Sequence, residues 1–416
     1  MLARLLLGAF GCLHLVLCSH AESLPRAISI SNDRPFAREG EILKITRAEL
    51  HAETSIRVPV FLQRGEVLPS QLLDDDTTGA WTAVLIQVSV PPRTRQELRL
   101  RWVMPEEVSN RQHATDVLLS LRSTNGQPNP GIITETRARG FVQDIANPKY
   151  QLEGPGIEND KFVLRVFFDH RNGRDLYGKL VASPIISQIG ITGSWHSLQP
   201  WGMDILKTGG SLGAGGLAVE QNGEIHRLAD ADSSTFHALY DGPLQAAFQL
   251  TYAKWDVGAE HEDGKDILSV NAGNYLLEDN LELALHPGQS LIAGLPDFYP
   301  SVRTKHTVHN SQISSISTYG PQAEGTGTKL GLAVFFPTMN FRREAITSAA
   351  DGTIPNSFYV VLDQPTKSHH LTLAVCWEKT DARFSTEAGF DAYLSRQAEI
   401  MVHPIRISIA LPPRGK

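Results

Sequence analysis

The chain reads as an all-β protein: a small N-terminal β-sandwich, a long sandwich of antiparallel strands after it, and one short C-terminal helix. Three observations predict this. Apolar residues recur with period two in one segment after another, as they do in strands with one face buried. Clusters of Gly, Pro, Asn and Asp separate those segments. Only the stretch after Ser385 carries helical spacing. Residues 22–145 are expected to form the first domain and 146–412 the second, because 416 residues exceed what a single core usually organises.

The first residues read as a targeting segment. Arg4 supplies a basic start, Leu5 to Cys18 is a mostly apolar run, and Ser19-His20-Ala21 is a small-residue cleavage signal. The run is too short to span a bilayer comfortably, and no later stretch is long enough. Export to the periplasm or the medium follows, with cleavage near Ala21. Neither Cys12 nor Cys18 sits in a convincing lipidation context, and that option stays open. Cleavage removes two of the three cysteines and leaves Cys376 alone, so no internal disulfide is expected. The net charge of −7 argues against a nucleic-acid partner, since a phosphate backbone needs a basic surface. It leaves room for an anionic sugar, which needs only a local group of Arg or Lys.

In order along the chain, Ile56, Val58, Val60 and Leu62 alternate with Arg57, Pro59 and Phe61. Val84, Ile86, Val88 and Val90 do the same, and so do Leu98, Leu100 and Trp102. Asp74-Asp75-Asp76 with Gly79 reads as a solvated acidic turn, lacking the spacing of a full calcium loop. Residues 123–131 are loop by composition. Next, Phe162, Leu164, Val166 and Phe168 take one strand face. A polar turn at 169–174 returns a strand with Asp175, Tyr177 and Lys179 on one side, Leu176 and Leu180 on the other. In the right register, Arg165, Tyr177 and Lys179 share a sheet face. Further strands are expected at 246–255, 267–271, 280–285, 329–336, 357–362, 371–377 and 405–409, with an acidic hairpin tip at 258–264. Ser385 or Thr386 caps the helix, which carries Phe390, Tyr393, Leu394, Gln397 and Met401 at helical spacing.

The chemistry concentrates between Ser194 and Glu220. Trp195, His196, Trp201, Asp204 and Lys207 fall in a short span, followed by five glycines from Gly209 to Gly216. Flat rings beside titratable groups suit a sugar, whose faces are apolar and whose rim is polar. The bland alternative is a loop with two core tryptophans and a solvated lysine. The glycines match a Gly-x-Ser-x-Gly elbow and a loose dinucleotide fingerprint by letter. Both motifs need a parallel strand before them and a helix after, which the pattern lacks. Close backbone approach is the better account of the glycines. His369 and His370 are adjacent in a strand, point to opposite faces, and make poor joint metal ligands. No motif calls for a cofactor, and a divalent metal stays open. Arg165, Arg171, Lys179 and Lys207 form a candidate cation cluster for a carboxylate. A neighbouring cation is expected to favour the Tyr177 phenolate. Each of these groups also has an ordinary reading, as a solvated face or a half-buried strand aromatic.

Three segments, GPGIENDKFVLRVFFDHRNGRDLYGK, WHSLQPWGMDILKTGGSLGAGGLAV, and LTLAVCWEK with FSTEAGFDAYL, resemble the bacterial DUF4861 family, a family of unknown function. The lead-in VPVFLQRGEVLPSQLLDDDTTGAWTAVLIQV looks similar too, so the resemblance covers nearly all of the mature chain. It implies a galactose-mutarotase-like supersandwich for the long domain. It also implies an exported protein of polysaccharide breakdown that acts on uronic-acid-containing oligosaccharides. By similarity to an ulvan oligosaccharide dehydratase, the expected reaction removes water from a non-reducing-end uronate and leaves a 4,5-unsaturated sugar. In that reading Arg165 and Lys207 neutralise the carboxylate, and His196 and Tyr177 move protons. Asp204 orients His196 or Lys207, Trp195 and Trp201 stack on the sugar, and Lys179 and Arg171 complete the cation cluster. A polysaccharide lyase, a mutarotase or epimerase, and a non-catalytic carbohydrate-binding protein are the alternatives. The oligomeric state is not set by the sequence.

Overall fold

The computed structural model describes residues 24–74, 79–108, 112–191, 193–229, 231–258, 260–363 and 366–409. The targeting segment and Asp75-Asp76 of the acidic turn lie outside the described residues. The protein is all-β, its sheets antiparallel, with one α-helix among the described residues, Glu387–Val402. The alternating segments form strands as their period requires, among them Val58–Gln63, Ala83–Val90, Thr94–Val103, Phe162–Val166, Arg174–Lys179 and Ser357–Leu362.

Two sheets make the first sandwich. One holds Ala27–Asn32, Thr94–Val103, Val58–Gln63, Glu66–Val67 and Arg406–Ile409; the other holds Arg38–Thr46, Ala83–Val90 and Ser70–Leu73. Ile28, Ile30, Leu98, Ile45, Val84 and Ile86 fill the space between them. The sequence reading ran the long domain to residue 412. The strand Arg406–Ile409 instead pairs antiparallel with Ala27–Asn32, so the chain returns to complete the first sandwich. The strand Ala83–Val90 is buried on both faces over its first four residues. Its second face, Ala83 and Leu85, packs with Leu73 against Leu244 of the long domain. Gln71 pins the same junction: its Oε1 accepts the N–H groups of Leu244 and Gln245, each at 2.9 Å.

The long domain is built on a nine-stranded sheet running from Arg303–Val308 at one edge to Thr134–Ala138 at the other. One face packs on two five-stranded sheets. The first comprises Asp116–Leu118, Gly156–Glu158, Phe162–Val166, Arg174–Lys179 and Gly202–Asp204. The second comprises Glu224–Arg227, Gly216–Gln221, Gln289–Pro296, Ser357–Leu362 and Phe341–Ile346. Leu164, Leu176, Val219, Phe248, Leu291, Val334 and Leu373 form the shared core. Thr386 caps the helix by accepting the Gly389 N–H at 3.1 Å. The helix then buries Phe390, Leu394 and Ala398 against Phe335, Ala374 and Cys376 on the other face of the nine-stranded sheet.

The glycine run is a packing device. Gly213 has φ +77°, and a Cβ there would stand 2.0 Å from the Arg174 carbonyl oxygen, which the run crosses. Ser211 is buried and donates to the Thr208 carbonyl at 2.6 Å, and the chain then enters the antiparallel strand Gly216–Gln221. The context of a hydrolase elbow or a dinucleotide loop is therefore absent.

Candidate functional site

The candidate residues are organised by the sheet that ends in Gly202–Asp204. Arg174, Leu176 and Gly178 turn toward the shared core, so Asp175, Tyr177 and Lys179 turn outward. Direct cross-strand pairing sets Arg165 beside Asp175, Tyr177 beside Asp204, and Lys179 beside Gly202. Residues 185–191 and 193–201 then lie over this face. Ile185, Ile186 and Ile189 pack on Val163 and Tyr177, with Trp195 and Trp201 at the margin. The outward face is thus covered, and most of its charged groups find partners beneath the cover.

Arg165 is buried, and Nε and Nη2 donate to Asp175 Oδ2 at 2.8 and 2.6 Å. Nη1 reaches Glu153 Oε1 at 3.4 Å, so each guanidinium nitrogen is engaged within the protein. Asp175 also accepts from the Thr208 hydroxyl at 3.0 Å. Lys179 is buried with its ammonium on Glu158 and on the Asn159 carbonyl, 2.7 Å away. Arg171 is half-buried, donating to Asp169 and to Glu153 Oε2 at 2.6 Å while lying 4.0 Å over the Phe167 ring. Three of the four cations expected to gather for a substrate carboxylate, all but Lys207, are therefore each neutralised by carboxylates the sequence reading did not pair with them. Glu153 links two of them.

Tyr177 is fully buried, 5.3 Å from the Arg165 guanidinium carbon and 6.2 Å from the Trp201 ring. Burial pushes its phenol well above the usual tyrosine value; Arg165 pulls the other way, and Asp204 and Asp175 add to the rise. The phenolate expectation fails for that reason: desolvation outweighs the single cation, and the hydroxyl keeps its proton. Among the described residues this hydroxyl has no hydrogen-bond partner, and neither has the buried Trp195 indole N–H. Such groups inside a folded protein call for an explanation. Asp204 is buried too. Burial, then the nearby Asp175, raise its carboxyl well above the ordinary range, against Arg165 and the Leu206 N–H.

The accessible part of the cluster is His196 and Lys207. The His196 side chain is 64% exposed, and its Nδ1 lies 3.4 Å from Asp204 Oδ2. The Trp195 ring sits 5.6 Å from the imidazole. The Trp195 carbonyl accepts the Asp204 N–H at 2.8 Å, which ties the loop to the strand below it. Lys207 is exposed, with its ammonium 4.8 Å over Phe298 and 5.7 Å over Tyr299. Glu324 lies close by: its charge acts on both Asp204 and Tyr299, and its N–H donates to the Ile205 carbonyl at 3.1 Å. Phe298, Tyr299 and Glu324 carried no motif or spacing that could have marked them. Chemically, the arrangement offers an exposed imidazole backed by a buried carboxyl, an indole face, and a cation steadied on two rings.

Elsewhere, His369 is buried with Nε2 3.0 Å from the Leu283 carbonyl, while His370 is exposed on the opposite face. Among the described residues no group of three His, Cys, Asp or Glu side chains is placed to hold a metal ion. Among them, too, no helix is long and apolar enough to cross a membrane.

Two solved structures align with most of the chain. An alpha-mannosidase from Enterococcus faecalis V583 gives a TM-score of 0.43 at 9% identity, covering 95% of this chain and 47% of the mannosidase. A glycosyl hydrolase family 38 protein from Enterococcus faecalis gives 0.44 at 9% identity, covering 95% and 48%. The chain spans about half the length of each. The uncharacterized protein P7 of Formosa agariphila is 21% identical over 405 residues, or 94% of this chain and 95% of that protein. The family described as Domain of unknown function (DUF4861) matches residues 30–407, and the protein belongs to that family.

Proposed function

We propose that the protein is an exported carbohydrate-active enzyme, a carbon–oxygen lyase that dehydrates the non-reducing-end uronate of an oligosaccharide. The observation that carries the proposal is the exposed His196 imidazole, backed by the buried Asp204 carboxyl and flanked by Trp195, with the exposed Lys207 on the segment that follows Asp204. In the reaction His196 removes the C5 proton as general base. Lys207 neutralises the adjoining carboxylate, which acidifies that C–H bond. The C5–H electrons form the C4=C5 double bond as the C4–O bond breaks, and the hydroxyl leaves as water once protonated. Tyr177, kept neutral by burial, is the proton donor for that step, which requires the covering segment, Ile185, Ile186 and Ile189 together with Trp201, to move off its ring. Arg165 acts from behind by holding Asp175 and Tyr177 in place rather than by touching the sugar. Export follows the leader reading, with cleavage near Ala21, and no cofactor is invoked.

Incubation with saturated uronate-ended oligosaccharides from ulvan, pectin and glucuronoxylan tests this, followed by ultraviolet absorbance and mass spectrometry. New absorbance with loss of one water and unchanged chain length is expected, and His196→Ala should lower the rate by about 10²–10⁴-fold. Full activity in that variant would remove His196 from the mechanism. The same absorbance with shortened products would make the protein a polysaccharide lyase. A non-catalytic carbohydrate-binding role is the second reading, favoured by the burial of Tyr177 and the full internal pairing of Arg165. It predicts binding that depends on Trp195 and no change of mass on any uronide.

A further inference from the structure

The nine-stranded sheet has an outer face that the chemistry above does not use. Where the C-terminal helix ends, this face carries a recess of about 250 Å³ with two unlike walls. Glu278, Thr372 and His370 make one wall; Ile313, Phe335, Phe336 and Met401 make the other. The polar wall is assembled by register, because Glu278 lies directly opposite Thr372, and Asn280 opposite His370. The Thr372 hydroxyl donates to Glu278 Oε2 at 2.9 Å. His370 Nε2 approaches the same oxygen at 3.1 Å, and Nδ1 stands 2.9 Å from Asn280 Oδ1. Both ring nitrogens thus face acceptors. The hydrogen bond to Glu278 is the largest influence on His370 and raises its pKa, against burial.

We propose that this recess is a second ligand site, and that it takes a single pyranose ring. The ring has one polar rim and C–H faces, which match the two walls. Glu278 Oε1, the oxygen that neither His370 nor Thr372 engages, presents an acceptor to a ring hydroxyl, and the exposed imidazole edge of His370 lies beside it. Ile313 and Met401 cover the C–H face. The recess falls below the roughly 300–1,000 Å³ of drug-sized ligand pockets, so it accommodates one sugar unit and not a chain. The site shares no residue with the His196–Asp204 pair.

The test follows the His370 ring signals of the mature protein by NMR during titration with glucose, galactose and glucuronic acid. A saturable shift of the His370 resonance is expected with at least one of them. Glu278→Gln keeps the shape of the side chain and removes its charge. It should weaken that binding about tenfold, whereas His196→Ala should leave it unchanged. No saturable shift with any of the three sugars would overturn the proposal, and so would equal affinity in Glu278→Gln. Loss of the shift in His196→Ala would assign the binding to the other face of the molecule and would likewise overturn it.

Discussion

Lys179 and Glu158 show how a residue read as part of a binding surface becomes part of the interior. Both side chains are fully buried, and Glu158 Oε1 also accepts the N–H groups of Ile185 and Ile186 at 2.8 and 2.7 Å. Those two bonds start the segment that covers the sheet. Removing one partner of such a pair leaves an uncompensated buried charge. Lys179→Met is therefore expected to destabilise the protein by about 3–5 kcal/mol in urea unfolding, with part recovered in Lys179→Met/Glu158→Gln. His196→Ala, at an exposed position, should change stability by no more than about 0.5 kcal/mol. A Lys179→Met variant as stable as the parent would mean that the ion pair does not hold the cover down. Strand alternation placed Arg165, Tyr177 and Lys179 on one face, and the structure has them there. Whether that face meets solvent was not legible. The covering residues Ile185, Ile186 and Ile189 act through long-range packing, which leaves no local period. Glu153 and Glu158 likewise lie too far along the chain for spacing to pair them with Arg165 and Lys179.

At the scale of elements, the strand Arg174–Lys179 joins the two halves of the long domain. Its inward Arg174 donates to Asp266 Oδ2 at 2.8 Å and also to Asp279, two carboxylates on neighbouring strands of the nine-stranded sheet. One guanidinium cannot neutralise two buried carboxylates, so the pair retains a proton. Burial, then Asp279, raises Asp266 well above the ordinary carboxyl range, with Arg174 opposing. The sign follows from linkage. A carboxyl whose folded pKa is raised binds its proton more tightly when folded. Its contribution is present below the unfolded value of about 3.9 and is lost as pH rises toward the folded value. Asp266→Asn removes that titration and keeps an amide where the protonated acid stood. Its unfolding free energy is expected to fall less than the parent's between about pH 5 and about pH 8. Parallel profiles would place the shared proton elsewhere. The strands themselves were legible because one face of each is apolar. Gly202–Asp204 and Gly216–Gln221 are not among the strands the sequence predicts, because the first is buried throughout and the second over its first four residues, so neither shows alternation.

Over the whole molecule, the chain ends by returning to its beginning. Ile405, Ile407 and Ile409 pack into the first sandwich, and Arg406–Ile409 pairs with Ala27–Asn32 across four residue pairs. Arg34 reaches Glu399 of the helix at 2.9 Å, and the buried Arg38 donates to the His403 carbonyl at 2.6 Å. The period of the last strand was visible in the sequence, but its partner was not. A short alternating segment fits any exposed sheet edge, and only tertiary contacts select one. Helix docking on the nine-stranded sheet brings the strand to Ala27–Asn32, so the long domain delivers a strand that the first sandwich lacks. A chain ending at His403 tests this coupling. Full burial of one Ile side chain contributes about 1.5–3 kcal/mol, and the truncation strips Ile405 together with the two partly buried isoleucines. The amide protons of Ala27–Asn32 should then lose hydrogen-exchange protection, while those of Leu330–Pro337 and Ser368–Trp377, in the middle of the nine-stranded sheet, keep theirs. Equal loss in both regions would mean that the two domains unfold as one cooperative unit, and unchanged protection at Ala27–Asn32 would show that the returning strand is dispensable to the first sandwich.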